Sequence, residues 1–158
     1  LHSLTIKNYG MKMNNLIREI QIKDKIQWQE LYKGYAKFYK VEMNDQILET
    51  VWGWLHDKNH EVNGIVYETE GVIVALAHFR RMPRPLKGKH IGFLDDLFVD
   101  PKHRGSKIGE QLISELKKIS TTKGWGLIRW LTANDNLRAK KLYDKVAQKT
   151  SWDLYELK

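Results

Sequence analysis

The stretch that most constrains this chain is Leu94–Leu112, LDDLFVDPKHRGSKIGEQL. Leu97, Phe98 and Val99 form a short apolar run preceded by two acids, the pattern of a buried strand. Asp100-Pro101 ends it, because proline has no N–H to give a sheet ladder. Helical spacing then begins: Ile108, Leu112, Leu116 and Ile119 share one face, with Ile113 beside it. A helix N-terminus carries unpaired N–H groups and partial positive charge. Glycine there lets backbone approach an anion closely. Arg104 and Lys107 add full charges. A strand, a basic loop and a helix in this order make a site for phosphate or pyrophosphate.

The loop Arg104-Gly105-Ser106-Lys107-Ile108-Gly109 resembles motif A of the GNAT superfamily of acetyl-CoA-dependent N-acyltransferases, (Arg/Gln)-x-x-Gly-x-(Gly/Ala). Arg104 and Gly109 match its ends. Lys107 stands at the middle glycine, a departure. A helical backbone carries a lysine there at little cost; a left-handed one does not. The resemblance implies that Arg104, Gly105, Ser106, Lys107, Ile108 and Gly109 hold the pyrophosphate of acetyl-CoA. It also implies that backbone groups of Leu97, Phe98 and Val99 pair with the pantetheine arm and polarise the thioester carbonyl.

At 158 residues the chain is long enough for one domain with its own core. It has no apolar run of membrane-spanning length, so no membrane partner is expected. Residues 1–12 lack a signal-peptide pattern and an initiator Met; they read as a disordered N-terminus or tag remnant, with Met11 or Met13 as candidate natural starts. With no cysteine, disulfides, thiolate metal sites and Cys nucleophiles are excluded, which fits a cytoplasmic protein. The formal charge of +8 suits an anionic partner. The basic residues are spread along the chain without a nucleic-acid motif, so that partner is not expected to be nucleic acid.

In order, Leu16–Ile22 alternates as a strand, and Asp24 caps a helix running to about Lys40. Asn44 caps a second helix with Ile47, Leu48, Val51, Trp52 and Leu55 on one side. Asp57–His60 reads as a loop, and His56 with His60 lacks a third ligand, so no metal is expected. Val62–Thr69 and Val72–Arg80 read as a hairpin, Met82–Gly88 as a loop and Ile91–Val99 as the next strand. After the helix ending at Gly124, Leu127–Leu131 reads as a short strand. Asn134 or Asp135 caps a last helix with Ala139, Leu142 and Val146 inward. Trp152–Leu157 alternates as a terminal strand. The order βααβββαβαβ, over a single domain at 13–158, is that of the GNAT fold. The fold class is therefore α/β (α+β), a central mixed twisted sheet flanked by helices.

A second motif extends the resemblance. Asn136-Leu137-Arg138-Ala139-Lys140-Lys141-Leu142-Tyr143 resembles the family's Asn-x-x-Ala-x-x-(Leu/Phe)-Tyr, in which the Asn contacts the cofactor and the Tyr faces its sulfur. Tyr143 is then the general acid for the leaving thiolate. LDDLFV and LYDKVAQKT look closest to the diamine and polyamine acetyltransferases and to the histone-and-other-protein acetyltransferase-like subgroup. Asp95 and Asp96 are adjacent, so a regular strand turns them to opposite faces. The polyamine enzymes carry their first acid at the amine, which selects Asp95 as base and leaves Asp96 a secondary acceptor contact. His78 is a lesser candidate for proton transfer and stays outside the catalytic set. Trp28, Tyr32, Tyr35 and Tyr39 form an aromatic stripe. It reads first as a packed helix face; Trp28, Tyr32 and Tyr35 are also candidates to wall a pocket for a cationic amine.

The expected activity is transfer of an acetyl group from acetyl-CoA to a primary amine of a small molecule: a polyamine, diamine or amino acid. The alternatives are a protein lysine or N-terminal acetyltransferase and a non-catalytic acyl-CoA-binding module. A homodimer is expected, from the relatives' habit and from the terminal strand at a sheet edge.

Overall fold

A computed structural model describes residues 14–158, so the expectation for residues 1–12 falls outside the described residues. The elements are β1 (Asn15–Glu19), α1 (Lys25–Tyr39), α2 (Asp45–His56), β2 (Val62–Thr69), β3 (Val72–Arg84), β4 (Lys89–Val99), α3 (Ile108–Thr122), β5 (Ile128–Trp130) and α4 (Leu137–Val146). The five strands stand in chain order in one sheet. β1 to β4 run antiparallel, and β5 lies parallel to β4. Parallel neighbours need a crossover, which α3 provides.

Each face of the sheet carries its own core because side chains alternate along a strand. On one face Val66, Leu76 and Phe98 pack against Trp28 and Leu31 of α1 and Leu48 and Trp52 of α2. On the other, Ile65, Ala77, Phe79 and Leu94 pack against Ile108, Leu112 and Leu116 of α3, the stripe read from the sequence. Leu112 is fully buried, and cutting such a leucine to alanine costs about 2–5 kcal/mol.

Three expectations are corrected. The stretch Met82–Gly88 is only partly loop, since β3 runs on through Pro83 to Arg84. Pairing with β2 stops at Arg80, so the last turn of β3 has a free edge where a missing N–H costs nothing. The cap of α4 is Asn136, whose side chain accepts from the Ala139 N–H at 3.2 Å, and neither Asn134 nor Asp135. Trp152–Leu157 forms no strand: alternation makes one only where a neighbouring edge supplies hydrogen bonds, and no described strand pairs with it. The edge pairing on which the homodimer expectation leaned is therefore not formed.

One buried ion cluster ties the start of α1 to the sheet. Arg18 on β1 donates to both oxygens of Asp24, at 2.6 and 2.9 Å, and to Glu68 on β2. Asp24 is 2% exposed. Burial pushes its carboxyl up, but the Arg18 hydrogen bonds outweigh that and hold it below the usual carboxylate range. A depressed pKa means the unfolded chain binds the proton more tightly, so this stabilisation is present above about pH 4 and is lost as pH falls through the native value. Asp24→Ala leaves Arg18 paired with Glu68 and should cost about 1.5–3 kcal/mol near pH 7, with a smaller loss at pH 3, read by urea unfolding.

Candidate active site

β4 makes the site by leaving β5. The parallel pairing holds only at Gly92, Phe93 and Leu94, while β4 stays paired with β3 as far as Val99. Beyond Leu94 the two strands splay, and one backbone edge of Leu97–Val99 has no strand neighbour among the described residues. A cleft of about 320 Å³ opens there. Its walls are Leu97, Phe98 and Val99, the start of α3, Asn136, Arg138, Leu142 and Tyr143 on the α4 side, and Tyr35, Phe38 and Tyr39 of α1.

One end of the cleft is cationic. The first N–H groups of α3 lack intrahelical partners, as at any helix start. Arg104 lies over the rings of Phe38 and Phe98, at 5.6 and 5.8 Å, and donates to the Val99 carbonyl at 3.3 Å. Burial lowers its pKa, and Arg138 on α4 lowers it further. Two guanidiniums converging beside a helix N-terminus cost free energy that a bound polyanion returns. The buried His103 Nδ1 in the same wall has no hydrogen-bond partner among the described residues.

The loop's backbone explains its glycines and strains its lysine. Gly105 has φ +91°, and a Cβ on Gly109 would sit 3.2 Å from the Leu142 side chain, so α3 meets α4 closely there. Lys107, at the motif's middle glycine, is left-handed at φ 60°, ψ 21°. That conformation costs an L-residue about 1–2 kcal/mol, less the extra entropy a glycine loses on folding. Lys107→Gly should raise the melting temperature by up to about 4 °C, read by calorimetry.

Two acids lie past Tyr35 of the cleft wall, where Tyr32 stacks on Tyr35 and reaches Asp96, and here the expectation of opposed acids is corrected. His78 stands opposite Asp96 and Phe79 opposite Leu94, so Asp95 is an extra residue in a β-bulge. His78 and Arg80, two apart on β3, share a face. Asp96 bonds His78 at 2.8 Å and Asp95 bonds Arg80 at 3.1 Å, so the bulge brings both acids to that face. Burial, opposed by Arg80, leaves the Asp95 carboxyl above its ordinary value, and Asp96 adds to the rise. The Arg80 guanidinium also covers the Phe93 ring at 4.7 Å.

The aromatic stripe divides. Trp28 is fully buried and cannot touch an acceptor; it packs on Trp52 and donates from Nε1 to His78 Nε2 at 2.9 Å. That corrects its placing as a pocket wall: the first turns of α1 lie flat on the sheet. Tyr32 donates to Asp96 at 3.1 Å and stacks on Tyr35, which lines the cleft. Burial, then Asp96, raises both phenols well above their ordinary range. Tyr143 packs edge-on against Trp130, and burial followed by Tyr39 pushes its hydroxyl up to about 12. Asn136 lines the cleft and is engaged twice, capping α4 and donating to the Tyr39 hydroxyl at 3.3 Å.

Arg80, Arg138, His103 and Tyr39 belong to the site but were not among the sequence-derived site residues. Arg138 and Tyr39 sat inside recognised patterns, one between the motif's Asn and Ala and the other at the end of the stripe. Arg80 and His103 carried no signal. Among the described residues no group of His, Asp and Glu side chains could hold a metal ion, and no helix is long and apolar enough to cross a membrane.

Comparison with known proteins gives a family and a fold. A family model described as the acetyltransferase (GNAT) family matches residues 27–147. The D-amino-acid N-acetyltransferase HPA3 of Saccharomyces cerevisiae is 28% identical over 143 residues, 89% of each chain. Among solved structures, the aminoglycoside N-acetyltransferase AAC(6')-Iy in complex with CoA superposes with a TM-score of 0.80 at 18% identity, covering 94% of this chain and 97% of that one. A ribosomal-protein-alanine N-acetyltransferase from Brucella melitensis biovar Abortus 2308 gives 0.77 at 21% identity, covering 91% and 98%. At these identities the structural likeness speaks for the fold.

Proposed function

Because the chain belongs to the GNAT acetyltransferase family, we propose that it moves an acetyl group from acetyl-CoA to the primary amine of a small molecule, with an amino acid as the acceptor class. The observation that carries this reading is one cleft with a cationic end and, past a wall of tyrosines, two carboxylates that a bulge sets on one face.

The cationic end fits a pyrophosphate. Arg104, Arg138 and the backbone N–H groups of Gly105–Gly109 would hold it, and the free edge of Leu97–Val99 would take the pantetheine arm. Acetyl-CoA supplies the acetyl group as an activated thioester. The chain's own task is to hold the amine, take its proton and protonate the thiolate that departs.

Asp95 and Asp96 attract the ammonium form, and Asp95, with its raised pKa, accepts the proton. Tyr143, protonated throughout the physiological range, serves the thiolate. Arg80 uses only Nε on Asp95; its two terminal nitrogens have no protein partner among the described residues. An acceptor with a carboxylate next to its amine places one charge on Asp95 and the other on those nitrogens. The similarity to a D-amino-acid N-acetyltransferase supports the same class.

CoA-thiol release with D- and L-amino acids, diamines and polyamines tests the reading. Amino acids should give the highest kcat/KM. Arg80→Met alters Asp95 for every acceptor, and beyond that shared effect it should raise the KM of amino acids about tenfold or more over that of simple amines, a loss the size of one charge-assisted contact. Highest activity on polyamines, or equal effects of Arg80→Met on both groups, overturns the amino-acid assignment.

A further inference from the structure

The buried pair Trp28 and His78 lies outside the chemistry described so far. His78 is 1% exposed and Trp28 not at all. An imidazole taken out of water needs both nitrogens satisfied. The indole Nε1–H can only donate, so at 2.9 Å it makes His78 Nε2 the acceptor. The ring proton therefore sits on Nδ1 and is donated to Asp96 Oδ2 at 2.8 Å. The Tyr32 hydroxyl donates to the same oxygen at 3.1 Å. Asp96 Oδ1 has no protein partner among the described residues, and the side chain keeps 19% of its surface open.

We infer that Trp28 and His78 form a buried arm that saturates one oxygen of Asp96 and aims the other at the incoming ammonium, which makes His78 a positioning residue for the acceptor. The inference rests on the amine-acetylating reading above.

The fold places the arm where aim matters. His78 stands at the bulge, opposite Asp96, where the ladder alone no longer fixes the direction of the β4 side chains. Trp28 is clamped between Trp52 of α2 and the sheet, so the anchor of the arm does not move. A carboxylate tethered through one oxygen loses little further rotamer entropy when the other takes up a cation. The charged and titratable groups around Asp96 are Tyr32 and Tyr35 from α1, His78 and Arg80 from β3, and Asp95 on its own strand.

His78→Phe keeps the packing and removes both hydrogen bonds. Trp28→Phe removes the indole N–H together with part of the ring volume, and His78→Asn restores a donor towards Asp96. Steady-state kinetics on folded variants should show kcat/KM for the amine about tenfold or more lower in His78→Phe, carried by the amine KM. The KM for acetyl-CoA should stay within about twofold, and His78→Asn should recover part of the loss. The acid limb of the kcat/KM profile for the amine should also move in His78→Phe. Tyr32→Phe, at a partly exposed position, tests the second donor should the His78 variants fail to fold. Loss of stability with unchanged amine kinetics, or equal loss for amine and acetyl-CoA, overturns the inference. Nitrogen NMR of the wild-type imidazole reads the arm without turnover: the Nδ1–H tautomer is expected, and the Nε2–H tautomer overturns the inference. Wild-type protein that acetylates no amine would instead overturn the function on which the inference rests.

Discussion

Asp95→Asn is expected to lower kcat/KM for the amine about 100- to 10,000-fold at neutral pH, the range a positioned general base supplies. A free primary amine is mostly protonated at pH 7 and cannot attack until it loses that proton. The amide keeps the size of the acid and removes both its charge and its basicity. Part of the loss should return at alkaline pH, where more amine arrives neutral. Asp96→Asn should also damage the enzyme, because the bulge turns both acids to one face, but mainly through the amine KM. The stability change should run the other way. Burial raises the Asp95 pKa, so the native state binds the proton more tightly than the unfolded chain. Stability then falls as pH rises from the ordinary carboxylate pKa through the native one. Asp95→Asn removes that burden. The variant should melt no lower than wild type at pH 7, which separates lost chemistry from lost structure. If kcat/KM fell less than tenfold, the base would lie elsewhere.

Tyr143→Phe is the second large effect. We expect kcat to fall about 10- to 100-fold while the KM for acetyl-CoA changes less than threefold, since the hydroxyl acts on charge that develops only in the transition state. The ring should stay in place, packed edge-on against Trp130 at 5.3 Å. With the hydroxyl pushed up to about 12, Tyr143 remains a proton donor through the assay range, so the wild-type profile should show no alkaline fall from it below about pH 11. Single-turnover kinetics isolates the step. An unchanged kcat would make Tyr143 a packing residue.

Several features of this protein were legible in the amino-acid sequence because they are local. The α3 stripe of Ile108, Leu112 and Leu116 is a matter of helical period. The Asn44 cap and the strand break at Asp100-Pro101 are matters of single side chains. The basic loop declares an anion site through charge and glycine spacing, and the match of two motifs carried the fold. The family then followed without coordinates.

What only the tertiary structure decided is non-local, and each case has the same cause: a partner far away in the chain. The direction of Asp95 and Asp96 depends on a bulge, which exists only in the register of β4 against β3; a strand read alone must alternate. Trp28 and Tyr35 have the same place in the aromatic stripe, yet one is sealed against α2 and the other lines the cleft, because the elements that meet each turn of α1 are not contained in its sequence. The neighbours of Lys107 leave its backbone open between helical and left-handed, and it is left-handed because the loop must deliver α3 from the end of β4. The Trp152–Leu157 alternation has no strand edge to meet. Periodicity records what a segment can pair with; register and the presence of a neighbour decide what it does pair with.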